Sequence, residues 1–79
     1  MISEIVDLLI QIEEDQTVSK NIRTKIREAI SILNGEEEEA IRLDKSLQHL
    51  DCLADDPNVP GYTRTQILNI VSLLESNNE

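Results

Sequence analysis

The chain has no phenylalanine, no tryptophan and a single tyrosine, Tyr62. Any core is therefore aliphatic, and isoleucine, leucine and valine supply 25 of the 79 residues for it. A core without aromatic bulk must interdigitate closely or be extended by a second subunit. The single cysteine, Cys52, excludes an internal disulfide framework and fits a reducing cytosol. No apolar run reaches membrane-spanning length, so no membrane partner is expected. The first residues, Met1 to Asp7, lack the basic stretch that opens a secretory signal. Positive charge is scarce. Seven Lys and Arg face sixteen Asp and Glu, and a net charge of −9 repels phosphate backbones, so nucleic acid is not expected as a partner. One histidine, His49, is too few for a di-iron bundle site, and no Walker, Rossmann or zincin pattern is present. No nucleophile–base–orienter set can be assembled, so the chain carries no catalytic residues, no cofactor site and no metal site on this reading.

What the chain does contain is a stretch written twice. Asp15-Gln16-Thr17-Val18-Ser19-Lys20-Asn21-Ile22-Arg23 returns 41 positions later as Asp56-Pro57-Asn58-Val59-Pro60-Gly61-Tyr62-Thr63-Arg64. The correspondence extends outward, Leu9 to Leu50, Ile26 to Ile67 and Leu33 to Leu74. Each copy pivots on an Asp-x-x-Val-x-x-x-x-Arg box between two apolar stripes. The spacing predicts one helix–turn–helix unit repeated, over about residues 1–34 and 36–76, within a single domain 1–79.

The stripes repeat at helical intervals. Ile2, Ile5, Leu9 and Ile12 predict helix 1 over about Ser3–Glu14. Thr17 and its counterpart Asn58 are good N-cap residues, and Ser19 matches Pro60, a residue tolerated in a first turn. Ile22, Ile26, Ala29 and Leu33 carry helix 2 to Leu33, where Asn34-Gly35 is expected to stop it with glycine in the left-handed conformation. Glu36 to Glu39 are read as the first turn of helix 3, favoured there by the helix dipole. Ala40, Leu43, Leu47, Leu50 and Ala54 give helix 3 over about Glu37–Ala54. After a turn stiffened by two prolines, Thr63, Ile67, Ile70 and Leu74 predict helix 4 over about Pro60–Glu75, with Ser76–Glu79 fraying. Short connections imply antiparallel neighbours, hence an all-α, four-helix up-and-down bundle. The alternative is a pair of HEAT-like helical repeats, for which two units are few.

The Asp-x-x-Val-Pro-x-x-x-Arg box at Asp56–Arg64, its echo at Asp15–Arg23 and the acidic Asn34–Glu39 junction resemble a UPF-type family of small uncharacterised archaeal proteins. The resemblance spans nearly the whole chain, with Ser19 departing from the Pro60 of the second box. It implies an all-helical cytoplasmic protein and brings no known activity or site residues.

Several clusters invite a functional reading. Asp15 with Arg23 and Asp56 with Arg64 are expected to brace the turns as structural pairs, with Arg42 contributing less than Arg64 because it lies near the acidic start of helix 3. The shared turn pole gathers Glu13, Glu14, Asp15, Asp55 and Asp56, an alternative site for a hard cation or small ligand. His49 and Cys52 share a face of helix 3, but zinc needs more ligands than they supply, and Cys52 is read as a half-buried thiol. Lys20, Arg23 and Arg27 form a basic stripe on helix 2, read mainly as intramolecular pairing, with contact to an anion or RNA as the weaker alternative. Leu8, Ile10, Leu68 and Leu73 project away from the core stripes and mark a possible self-association surface. The sequence thus points to a non-enzymatic, homodimeric helical module for protein–protein contact, with an unknown protein partner besides its own copy.

Overall fold

The computed structural model describes residues 2–76 as four helices: α1 (Ile2–Glu13), α2 (Lys20–Leu33), α3 (Glu39–Ala54) and α4 (Gly61–Ser76). The expected fraying at the C-terminus lies largely outside the described residues. Each helix packs on its neighbours in the chain, and α1 closes the ring on α4. The backbones of the diagonal pairs, α1 with α3 and α2 with α4, do not approach one another as those of neighbours do. Stacked HEAT-like hairpins would put α1 on α3, so the up-and-down bundle is the arrangement present. The radius of gyration is 11.5 Å, against about 11.6 Å for a compact chain of this length.

The core is the aliphatic set the stripes announce. Ile5, Leu9 and Ile12 from α1, Ile22, Ile26, Ala29 and Leu33 from α2, and Thr63, Ile67, Ile70 and Leu74 from α4 are buried. Val18 and Val59, from the two turns, close over the same core.

The two turns share their hydrogen bonds at the 41-residue offset. Thr17 N–H donates to Asp15 Oδ1 at 2.9 Å, and Asn58 N–H to Asp56 Oδ1 at 2.8 Å. Val18 N–H reaches the Asp15 carbonyl, and Val59 N–H the Asp56 carbonyl, both at 3.1 Å. These are Asx-turns, in which the aspartate side chain mimics a turn of backbone. They displace the expected caps. Thr17 and Asn58 are consumed by the turns, and α2 is capped by Ser19, whose Oγ accepts from Ile22 N–H. Pro60 holds the corresponding place before α4, its carbonyl accepting from Arg64 N–H at 2.8 Å.

Three further expectations are corrected around α3. Gly35 is not left-handed, since no glycine among the described residues has a positive φ. The end of α2 tightens instead, Asn34 N–H donating to Ile30 O at 3.0 Å and Gly35 N–H to Ile32 O at 3.2 Å. The acidic run belongs mostly to the connection: Glu38 holds the N-cap place and only Glu39 lies in the first turn. Finally, α3 is rotated from its predicted seam. Ser46 and Leu53 are buried, Ala40 is exposed and Leu47 is half-buried. Burial of Ser46 is tolerated because its hydroxyl donates within its own helix, to Arg42 O at 2.9 Å and Leu43 O at 3.1 Å.

This rotation is testable. Ser46→Leu overfills the core and is expected to cost about 1–3 kcal/mol in urea unfolding. Ala40→Leu, on the exposed flank, should stay within about 0.5 kcal/mol. The opposite order would restore the Ala40–Leu47 seam.

Candidate functional site

No helix carries a basic residue in its last turn. The terminal carbonyls, unpaired within their helix and at the negative end of its dipole, must be met from elsewhere. For α2 and α3 the following helix supplies the donor. Arg64 of α4 donates through Nε to Ala54 O at 2.8 Å and through Nη2 to Asp56 O at 2.9 Å, with a longer contact to Val59 O at 3.4 Å. Arg42 of α3 donates through Nη1 to Leu33 O and through Nε to Glu37 O, both at 2.7 Å. Lys45 secures the same connection by an ion pair with Glu37 at 2.8 Å. Arg64 therefore braces its turn through main-chain carbonyls, while the Asp56 carboxylate serves Asn58 N–H. Arg42 is half-buried and clamps as Arg64 does, so it is not the minor residue its place beside the acidic run suggests.

The first turn is built alike but lacks the clamp. Arg23, at the position of Arg64, leaves its Nε buried without a hydrogen-bond partner. Asp15 instead accepts from both Thr17 Oγ1, at 2.7 Å, and Thr17 N–H. Those two bonds hold the Asp15 carboxyl below the ordinary carboxylate range, with the Arg23 charge adding to them and desolvation opposing.

The acidic pole does not assemble into a ligand set. Glu13 faces Arg27 of α2 at 3.9 Å. Among the described residues no three His, Cys, Asp or Glu side chains are grouped to hold a metal ion. A cleft of about 190 Å³ between α2 and α3 is lined by Lys25, His49, Cys52, Leu53 and Asp56. His49 ties the two helices: its Nε2 lies 2.8 Å from the Lys25 carbonyl. A carbonyl only accepts, so Nε2 carries the proton and is not available as a base. Cys52 is exposed, not half-buried, because it stands about 180° around α3 from the buried Leu43.

The four projecting apolar residues do not form one patch. Residues two apart on a helix diverge by about 160°, and residues five apart by about 140°. Leu8 and Ile10 thus leave α1 on opposite flanks. Leu8 is half-buried and lines a cleft of about 80 Å³ at the α1–α4 closure with Gln11, Gln66, Asn69 and Ile70. Ile10 is exposed on the other side. Leu68 and Leu73, both exposed, bracket the outer face of α4. Between them lie Tyr62, Thr65, Asn69, Ser72 and Ser76, all exposed and none charged. Sequence reasoning followed the leucines and missed this face; its signal was the same 3, 4, 3, 4 spacing, written in small polar residues.

Arg42→Ala and Arg64→Ala should each lower unfolding free energy by about 1.5–3 kcal/mol, the worth of hydrogen bonds from a charged donor. Arg27→Ala, which breaks only an exposed pair, should cost about 0–1 kcal/mol. Urea titration of the three variants checks the ranking. For Asp15 the sign follows from its depressed folded pKa. Its ionised form stabilises the fold above the unfolded value near 3.8, and that contribution fades as pH falls through the folded value. The stability gap between wild type and Asp15→Asn, measured by thermal melts, should therefore be full at pH 6 and close on acidification below that range.

Comparison with known proteins gives the same fold and no activity. A solved structure described as that of unknown function protein MMP1188 superposes with a TM-score of 0.90 at 42% identity, covering 95% of this chain and 86% of that one. A UPF0147 protein of Methanosarcina mazei is 38% identical over 77 residues, 96% of this chain and 83% of the relative. One of Methanocaldococcus jannaschii is 42% identical over 69 residues, 86% and 74% of the two chains. The model of the UPF0147 family, described as an uncharacterised protein family, matches residues 1–76, and the chain belongs to that family.

Proposed function

We propose that this protein is a non-enzymatic helical interaction module whose partner is a second copy of itself, docked through the outer face of α4. The observation that carries this reading is the absence of charge on that face. The chain has a net charge of −9, so two copies repel over most of their surfaces. From Tyr62 to Leu73 the exposed residues of α4 are Tyr62, Thr65, Leu68, Asn69, Ser72 and Leu73. Interface centres are depleted of charge and enriched in tyrosine, and Tyr62 is 73% exposed. Small residues at 65, 69 and 72 let a second helix approach closely, with Leu68 and Leu73 packing on either side. Twofold dimers are the commonest closed assembly, and a 79-residue chain with no aromatic core residue gains most from one. The single thiol fits action in a reducing cytoplasm. No helix among the described residues is long and apolar enough to cross a membrane.

Sedimentation equilibrium at tens of micromolar should give twice the 9.0 kDa chain mass. Asn69→Glu and Leu68→Glu, which place charge on the face, should each yield a monomer with an unchanged helical circular dichroism spectrum. A clean monomer for the wild type removes the reading. A dimer untouched by both substitutions moves the contact off α4.

A further inference from the structure

Three arginines follow the three connections, and two are engaged by main-chain carbonyls. Arg42 makes two hydrogen bonds to main-chain carbonyls and Arg64 three. Arg23 has the same place after the first turn, yet its Nε is buried and bonds to nothing. An orphaned charged donor of this kind is destabilising, because it has given up water without gaining a partner. Turning Arg42 or Arg64 outward would break their bonds, whereas turning Arg23 outward breaks no hydrogen bond and relieves the orphan.

The outward position is electropositive. Lys20, Arg23 and Arg27 stand at i, i+3 and i+7, so they share one flank of α2 over about 10 Å. Lys20 is exposed and forms no ion pair among the described residues, and Arg27 meets Glu13 only at 3.9 Å. The first turn of α2 holds no acidic residue, so its positive dipole end is not neutralised from within. Four of the seven positive charges of the chain lie between Lys20 and Arg27. Two carboxylates border the flank. Asp15 is occupied by Thr17, and Glu13 faces Arg27. Against their repulsion, an oxyanion that can draw all three cations at once gains the most from this flank.

We propose that Lys20, Arg23 and Arg27 form a site for a phosphoryl oxyanion, free phosphate or a phosphate monoester, which Arg23 meets by turning out of the first turn. Guanidinium geometry suits such an oxyanion, which can accept two parallel N–H donors. The site is independent of the α4 face, so its failure leaves the assembly reading intact.

The test is a titration of the ¹⁵N-labelled full chain with inorganic phosphate, and separately with O-phosphoserine, followed by amide and arginine Nε–Hε resonances. Saturable shifts are expected at Lys20 to Arg27 and at the Arg23 Hε, weakening with ionic strength. Arg23→Gln should lower affinity by about tenfold or more, the loss of a charge-assisted hydrogen bond. Lys45→Gln, on the other connection, should change it by less than about twofold. Because Arg23→Gln can also perturb the turn, the double variant Lys20→Gln, Arg27→Gln provides a second arm at two exposed positions and should likewise weaken binding. Tight binding of phosphate alone identifies the free ion, and equal binding of phosphoserine identifies a monoester; either supports the site. Absence of saturable shifts at millimolar phosphate overturns it, as do shifts at Lys45 as large as those at Arg23. Affinity unchanged in both the Arg23 variant and the double variant overturns it equally.

Discussion

An arginine from each of the last two helices reaching back to the carboxyl end of the helix before it is the contact on which the bundle depends. Burying aliphatic stripes decides that four helices come together, but this force is non-directional. It does not fix where each helix ends or how the next one leaves. Helix ends do need fixing, because terminal carbonyls buried near a core and left unpaired are costly. Arg64 and Arg42 meet that need for α3 and α2. Each binds two parts of the chain at once, the helix end and the connection beyond it. The clamp thereby couples the length of a helix to the angle of the next.

Much of this was legible in the sequence because it is periodic. The stripes of α1, α2 and α4 are buried where their spacing puts them, and the doubled box marks two turns with matching hydrogen bonds. The misreadings arise where one residue has two possible partners. Thr17 is a sound N-cap in isolation, but Asp15, two residues earlier, claims it for a turn and leaves the cap to Ser19. Asn34-Gly35 reads as a left-handed stop, but Arg42 takes the Leu33 carbonyl and the end tightens without one. Arg64 appeared to want the Asp56 carboxylate, a partner visible in one dimension. The Ala54 carbonyl it binds is visible only once α4 folds against α3. Carbonyls belong to every residue, so no sequence pattern announces which will be the acceptor.

The candidate surfaces follow from what the clamp leaves over. Charges are drawn to the connections and to α2, and the outer face of α4 is left without any between Tyr62 and Leu73. The leucines that first suggested association are dispersed around the bundle, and the face between Leu68 and Leu73 is what remains as an interface. Likewise the basic stripe gains interest from one arginine that does not clamp, set against two that do.

The most direct test of the clamp is a scalar coupling measured across it. In a long-range ¹H–¹⁵N–¹³C correlation spectrum, the Arg64 Nε–Hε group should show a trans-hydrogen-bond coupling to the Ala54 carbonyl carbon, and its Hε should exchange slowly with water. Arg23 Hε should show no such coupling. A coupling from Arg64 to its own aspartate carboxyl in place of Ala54, or Arg64 exchange as fast as that of a free arginine, would contradict the account.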